Sequence, residues 1–173
     1  MKVALLTKYG NLAASTRQRF EQYNPYLKGA GFELEQHTLL DNDYLKQLYG
    51  DGPKDRGNIT SSYLKRLRWL LSKPDVDLIW LHCELFPYLP GLAEGLTLLA
   101  GKPIIYDFDD AIYLEQKGHK SNELKTSQML RAASKVIIST DHLLPFCEKN
   151  NVKPIIITSA VDTERIKPIK KPS

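Results

Sequence analysis

The chain has 173 residues, which is enough for one domain with a substantial core and short for a two-domain enzyme. Apolar residues make up 42% and charged residues 25% of it, an ordinary globular composition without the low-complexity tracts of a disordered chain. The formal net charge of +4 tilts toward anionic partners such as phosphates or an acidic membrane surface, and it is too small to indicate a nucleic-acid-binding protein.

The first residues and the two cysteines indicate the compartment. MKVALLTKYG has only a short apolar run closed by Lys8, which predicts a first strand rather than a signal peptide. No later segment approaches the length of a transmembrane span. Cys83 and Cys147 lack C-x-x-C spacing and a nearby histidine pair, so no zinc site is predicted. We therefore expect reduced, mostly buried thiols in a cytoplasmic protein without a metal or cofactor.

Six apolar runs of strand length alternate with helical patterns along the chain. The runs cover residues 3–7, 32–39, 76–82, 103–106, 135–139 and 154–158. Strands that alternate with helices predict a parallel sheet, and the continuously apolar runs DLIWL and KVIIS are typical of strands covered on both faces. The predicted fold class is α/β, a doubly wound, mostly parallel, Rossmann-like sheet.

The loop after the first run, KYGNLAASTRQR, has a single glycine, Gly10, and no G-x-G-x-x-G fingerprint, so it does not predict dinucleotide binding. Arg17 and Arg19 fall in the first turns of the next helix, where the helix dipole disfavours cations. Two interpretations stay open. Arg17 pairs with Glu21 while Arg19 faces solvent, or both arginines and the helix amides bind a phosphate or carboxylate.

Ser15, followed by Gln18 three residues later, forms a capping box that predicts the start of this first helix. Pro25 is expected to kink or interrupt the helix. The stretch DGPKDRGN at residues 51–58 predicts a turn-rich loop. Further helices are predicted over residues 88–100, 122–133 and 140–150.

A clearer helix follows the loop, with an apolar stripe formed by Tyr63, Leu64, Leu67, Leu70 and Leu71. Its other side carries Lys65, Arg66, Arg68 and Trp69. A tryptophan among cations suits peripheral contact with a membrane surface. The alternative is a solvated helix face whose tryptophan packs on a neighbouring element.

The run at residues 76–82 ends at His82, followed by Cys83 and Glu84. In an open parallel sheet, ligands bind outside the carboxyl ends of the strands, so His82 is expected at the rim of that crevice. It can bond a sugar hydroxyl or a donor phosphate, or it can be a hydrogen-bonded structural histidine. Cys83 is expected to point the opposite way, into the core.

The next run ends in DFDDA, which places Asp107, Asp109 and Asp110 within four residues of one strand end. Crowded carboxylates are unfavourable unless a cation, an arginine or a hydroxylated ligand answers them. The alternative is structural, with Asp110 capping the following turn and the others bonding Arg17 or backbone amides. We predict that Asp109 and His82 act together on a ligand in the same crevice.

Four stretches in this order resemble the N-terminal domain of group 1 (family 4) glycosyltransferases, which have the GT-B fold. These stretches are KVALLTKYGNLAASTRQR with its S-x-R-x-R core at Ser15, Arg17 and Arg19, then DLIWLHCE, YDFDDAIY and SAVDTERIKP. The resemblance spans nearly the whole chain. It implies that residues 1–160 are the Rossmann-like acceptor-side half of the enzyme, and that residues 161–173 are a linker toward a C-terminal donor-binding domain absent from this sequence.

The resemblance implies a retaining, metal-independent transfer of a sugar from a nucleotide-sugar donor to a sugar, lipid-linked or other hydroxyl acceptor. Gly10 and its loop would face the donor diphosphate, and His82 and the carboxylates Asp107, Asp109 and Asp110 would face the acceptor or the reacting centre. We take His82 and Asp109 as the candidate catalytic residues. The other candidate substrate-binding residues are Ser15, Arg17, Arg19 and Glu84. This half alone would be inactive.

Two alternatives stay open from the sequence. DFDDA matches the nucleophile motif of haloacid-dehalogenase-like phosphatases at Asp107 and Asp109, although such a motif belongs after the first strand and needs later magnesium ligands. The chain can also be a stand-alone, non-catalytic module that binds a sugar or phosphate in the same crevice.

Overall fold

The computed structural model describes residues 1–49, 56–87, 89, 91–114, 122–163 and 166–167. Within them, six strands form one sheet in which every neighbouring pair is parallel, in the order β2-β1-β3-β4-β5-β6. The strands are β1 Lys2–Tyr9, β2 Glu33–Leu40, β3 Leu78–His82, β4 Ile104–Phe108, β5 Lys135–Ile138 and β6 Ile155–Ile156. The predicted doubly wound α/β fold is confirmed, with a strand at each of the six apolar runs.

Helices connect the strands. They are α1 Ala14–Arg19, α2 Asn24–Gly29, α3 Asn42–Tyr49, α4 Arg56–Leu71, α5 Asn122–Ala132 and α6 Leu144–Lys149, with 3-10 helices over Glu21–Tyr23, Gly91–Ala100 and Asp141–Leu143. None of the helices in the described part of the chain is both long and apolar enough to cross a bilayer.

The helix boundaries differ from the predicted ones in three places. The capping box is wrong, because α1 is capped at Ala13 without a side-chain hydrogen bond and Ser15 already lies in its first turn. Helix α4 begins at Arg56, inside the segment 51–58 predicted as a loop, of which residues 51–55 lie outside the described residues. Helix α3 was not predicted. The predicted interruption near Pro25 is confirmed, because a separate helix, α2, begins at Asn24 with Pro25 in its first turn.

Side-chain alternation gives the two faces of the sheet different roles. On one face, Leu81 of β3 and Tyr106 and Phe108 of β4 join the large apolar core. On the other face lie Trp80 and His82, and the ring of Phe20 packs edge-on against both, with centroid distances of 5.3 and 5.0 Å. Phe20, directly after α1, therefore covers the face of the sheet that carries His82 at the end of β3 and its neighbour Asp107 in β4.

One residue of the basic face predicted for α4, Arg66, does not face solvent. Arg66 is buried and donates hydrogen bonds to three carbonyl oxygens, those of Thr7 (2.8 Å), His37 (2.6 Å) and Leu85 (3.0 Å). The Trp69 ring is half-buried against the His37 ring at 4.4 Å. The cation of Arg66 therefore turns inward and links β1, β2 and the segment after β3 through their carbonyls.

Replacing Arg66 with methionine is expected to lower the free energy of unfolding by about 2–3 kcal/mol, because buried carbonyls lose charged donors. Arg68 is exposed on the same helix, so Arg68→Met should stay within about 0.5 kcal/mol of the unaltered chain. Urea unfolding followed by circular dichroism measures both. Equal effects of the two substitutions would contradict the structural role of Arg66.

Candidate functional site

The strand order places a crevice between β1 and β3. The chain leaves β1 toward β2 on one side and returns to β3 on the other, so the loops that follow β1 and β3 diverge at their carboxyl ends. Ligands of open α/β sheets bind at such a switch point. The loop that begins at Gly10 and the segment from His82 to Glu84 form its two sides.

The loop after β1 is braced from two directions. The Asn42 side chain accepts a hydrogen bond from the Leu12 amide (3.2 Å) and donates one to the Asn11 side chain (2.7 Å). A Cβ at Gly10 would lie 2.6 Å from Asn42 Oδ1, so a larger residue there would displace the Asn42 side chain. Arg17 does not pair with Glu21 in the contacts of the described residues. Its guanidinium instead donates to the Asn11 and Leu12 carbonyls at 2.9 and 2.7 Å.

Arg19 and Asp107 form a buried ion pair beneath α1. Arg19 Nη2 lies 2.6 Å from Asp107 Oδ1, and their side chains are 4% and 1% exposed. The indole of Trp80 donates to the other carboxylate oxygen at 3.1 Å. Burial raises the pKa of the Asp107 carboxyl, and the neighbouring Arg19 opposes that rise. Both oxygens of Asp107 thus have protein partners.

The same arginine holds the chain that leaves the sheet. Arg19 Nη1 donates to the carbonyl of Ile157 (2.9 Å) and lies 3.3 Å from Ser159 Oγ, just beyond β6. Gln22 donates to the Ala160 carbonyl at 2.9 Å. One guanidinium therefore links helix α1, strand β4 and the exit segment 157–160.

His82, Cys83 and Asp109 form the tightest polar cluster at the crevice. His82 Nε2 lies 3.3 Å from Asp109 Oδ1 and 3.4 Å from Cys83 Sγ, and Cys83 Sγ lies 3.6 Å from the same carboxylate oxygen. His82 is 6% exposed at its side chain, whereas Asp109 is 24% exposed. The carboxylate is thus the more accessible member of the pair. The structure brings the side chains of His82 and Asp109 together, as predicted.

The charges of this cluster depend on each other. Burial alone would lower the pKa of His82, but Cys83 and Asp109 beside the ring outweigh burial and raise the pKa to about 10. Burial raises the pKa of the Cys83 thiol and would do the same for Asp109, but the hydrogen bond and charge of His82 bring the pKa of Asp109 below its usual value.

The prediction that Cys83 points into the core is wrong, because its sulfur atom lies beside His82 and Asp109. Cys83 has a φ of 59°, so the strand alternation ends at His82 and the thiol turns to the crevice, although the residue still borders the core. A non-glycine residue in this left-handed region costs about 1–3 kcal/mol. Its amide donates to the Asp107 carbonyl at 2.8 Å, which ties the turn to β4. No sequence signal marked this conformation.

Glu84 bridges two lysines that the sequence analysis did not single out. Lys125 Nζ lies 3.0 Å from Glu84 Oε1, and Lys8 Nζ lies 3.7 Å from Glu84 Oε2. Lys125 is buried in helix α5 and also donates to the Phe86 carbonyl at 2.8 Å. Lys8 is the penultimate residue of β1 and could have been noticed, but Lys125 comes to the crevice only through packing of α5.

The remaining candidates lie apart from this cluster. Asp110 is exposed beyond the end of β4, and Ser15 is partly exposed in the first turn of α1. Asp107 occupies the place that a phosphatase nucleophile would have, but it lies on the fourth strand along the chain and is enclosed by Arg19 and Trp80. That arrangement argues against haloacid-dehalogenase-like chemistry.

No protein family profile and no curated protein sequence matches the chain. Solved structures do resemble it. The structure of HepE from Anabaena in complex with UDP-glucose is similar with a TM-score of 0.60 and 15% identity, over 95% of this chain and 45% of HepE. HepE in complex with UDP and glucose gives a TM-score of 0.55 and 16% identity, over 95% and 46%. The chain thus spans about half the length of HepE and shares its α/β, Rossmann-like fold over that span.

Proposed function

We propose that the chain is the acceptor-side half of a glycosyltransferase that moves a sugar from a nucleotide-sugar donor to an acceptor hydroxyl. The observation that carries this proposal is the His82–Asp109 pair, which lies at the carboxyl ends of neighbouring strands beside the switch point of the sheet. Its support from outside the chain is the likeness to HepE, whose structures contain UDP-glucose, UDP and glucose.

Asp109 is the residue that we assign to the acceptor hydroxyl. Its carboxylate is the more exposed of the pair, and an oxygen there can accept a hydrogen bond that strengthens as the hydroxyl becomes nucleophilic. His82 is buried against Phe20 and hydrogen-bonded to Asp109, so it orients that carboxylate. Glu84 and Asp110 extend the acceptor side at the two strand ends.

The donor side is assigned to the braced loop after β1. Gly10 keeps the backbone at this loop free of a side chain, and α1 begins just beyond it, so amides and a guanidinium lie near the place of a diphosphate. Among the polar residues of α1, Arg17 is exposed and Ser15 is partly exposed, so both can contact the donor. Arg19 is buried and pairs with Asp107 instead. Transfer is proposed to be retaining and metal-independent.

Domain organisation follows from the same proposal. Residues 1–160 form the acceptor-side domain, and residues 161–173 lead to a donor-binding domain in the parent protein. The support is the length ratio with HepE and the exit segment 157–160, which Arg19 and Gln22 bind to α1. The donor-binding domain would complete the crevice, as implied by the sequence resemblance to enzymes with two Rossmann-like domains.

A lipid-linked sugar is the acceptor class that we favour, in a protein located in the cytoplasm at the membrane surface. An apolar groove of about 430 Å³ lies between α4 and the segment after β3, and its lining includes Tyr63, Leu67 and Phe86, which is two residues from Glu84. Lys65 and Arg68 are exposed on the same helix and can face anionic lipid headgroups.

The 173-residue chain alone is expected to bind UDP-glucose at most weakly and to transfer no sugar. The reason is that the proposed donor contacts of this half come from one loop only. Nitrogen-15 NMR titration with UDP-glucose and, separately, with an alkyl glucoside measures this. We expect the glucoside to shift signals of Asp109 and Glu84, and UDP-glucose to shift mainly the loop around Gly10. A micromolar dissociation constant for UDP-glucose would overturn the acceptor-side assignment.

A further inference from the structure

We infer that His82 Nε2, Cys83 Sγ and Asp109 Oδ1 form a binding site for a zinc ion at the acceptor side of the crevice. The inference concerns a ligand that the proposed metal-independent sugar transfer does not require. A bound ion would replace the His82–Asp109 hydrogen bond used in that proposal, so metal binding is tested by itself and not through activity. Three features of the cluster carry it.

The first feature is the size of the triangle made by the three ligand atoms. Its edges are 3.3 Å, 3.4 Å and 3.6 Å, so a point equidistant from the three atoms in their plane lies about 2.0 Å from each. Tetrahedral zinc with bonds of about 2.3 Å to sulfur and 2.0–2.2 Å to nitrogen and oxygen separates its ligand atoms by about 3.3–3.6 Å. The triangle matches one face of that tetrahedron.

The second feature is the chemistry and charge of the three ligands. An imidazole, a thiolate and a carboxylate are ligands that zinc prefers, whereas magnesium prefers oxygen alone. On binding, the thiol and the imidazolium release their protons to solvent, and three lone pairs coordinate the ion. The charges of Zn²⁺, the thiolate and the Asp109 carboxylate then sum to zero, which suits a half-buried position. The nearby cations Arg19 and Lys125 already have carboxylate partners.

The third feature is the backbone of Cys83, which is independent of the distances between side chains. Its φ of 59° departs from the extended conformation of β3, and regular alternation would have directed the side chain to the core face with Leu81. The departure brings Sγ to the same side as His82 and Asp109. Strained backbone at a strand end that assembles three metal-binding atoms is a feature of functional sites.

Three protein ligands leave the fourth zinc position to a water or a substrate oxygen, as in zinc sites that act on substrates. Asp109 is more exposed than His82, with 24% of its side chain accessible against 6%, and we place the fourth position on its crevice side. The edge of the Phe20 ring packs on His82 and fixes the orientation of the imidazole. The ion would therefore lie where the acceptor hydroxyl is proposed to bind.

The test uses the 173-residue chain with Co²⁺ and Zn²⁺ at slightly alkaline pH, followed by absorption spectroscopy and calorimetry. We expect one equivalent of Co²⁺ to produce a thiolate-to-metal charge-transfer band that Zn²⁺ abolishes, while Mg²⁺ produces no heat. Cys83→Ser and Asp109→Asn should each weaken zinc binding by at least about tenfold. Loss of a residue that only hydrogen-bonds to a metal ligand already costs that much, and these two residues are proposed as ligands.

Matched controls separate this site from the other thiol and carboxylates. Cys147→Ser removes the buried second cysteine, and Asp110→Asn removes the exposed neighbouring carboxylate. Both variants should keep the band and the affinity. Because glycine accepts a positive φ, Cys83→Gly should fold while losing the band. Absence of the band in the unaltered chain, or equal zinc affinity in the Cys83 and Cys147 variants, would overturn the site while leaving the transfer proposal untouched.

Discussion

Replacing Asp107 with alanine is expected to lower the free energy of unfolding by about 3–5 kcal/mol, the cost of breaking a buried ion pair. The substitution leaves the Arg19 guanidinium buried without its carboxylate, and it removes the acceptor of the Trp80 indole. Arg19 Nε already has no hydrogen-bond partner among the described residues, so the arginine has no second carboxylate contact to compensate. Urea unfolding of the 173-residue chain measures the change.

Arg19→Ala should cost a similar amount, because it leaves the Asp107 carboxylate unpaired and releases the exit segment at Ile157. The double substitution Arg19→Met with Asp107→Leu should recover much of the stability, since apolar groups of similar volume often replace a buried pair without loss. Asp110→Ala and Arg17→Ala are the matched exposed controls, expected within about 0.5 kcal/mol. A loss as large in Asp110→Ala as in Asp107→Ala would refute the buried-pair interpretation.

Asp109→Asn is expected to lower turnover of the parent protein, with its donor-binding domain, by about 10²–10⁴-fold. Asparagine keeps the size of the side chain but removes the negative charge that would accept the hydrogen bond of the acceptor hydroxyl. His82→Gln should reduce turnover less, because glutamine can still donate to Asp109 while losing the positive charge. The measurements are kcat, the dissociation constant for the donor and the melting temperature.

Donor affinity should change little in the Asp109 variant, because its carboxylate belongs to the acceptor side. The melting temperature should fall only modestly, because a neutral His82 imidazole can still donate to the asparagine oxygen. Asp110→Asn is the control, with an exposed carboxylate one residue away. If Asp109→Asn loses several kcal/mol of stability while activity per folded molecule is unchanged, the carboxylate has a structural role and the assignment is wrong.

The arrangement of the site explains why some residues were placed correctly from the sequence. His82 and Asp109 each follow a continuously apolar run, and neighbouring parallel strands bring their carboxyl ends together. Their meeting therefore depends only on β3 and β4 being neighbours, and the register His82↔Asp107 in the sheet satisfies that condition.

Other residues could not be placed by pattern alone. Arg66 occupies the polar side of an amphipathic pattern, but its guanidinium donates to carbonyls of β1, β2 and the segment after β3, and these contacts arise only when the elements meet. Arg19 pairs with Asp107 across 88 residues of sequence, and its other contacts lie beyond β6. Cys83 turns to the crevice because its φ departs from the strand conformation.

The sequence by itself thus determined the α/β class, the six strands and the strand ends that carry polar groups, because local apolar runs and turn residues encode these directly. The tertiary structure alone decided which polar groups became structural and which stayed accessible. Burial and pairing depend on contacts between residues distant in sequence, so Asp107 became the partner of Arg19, while Asp109, two residues later, remained open at the crevice.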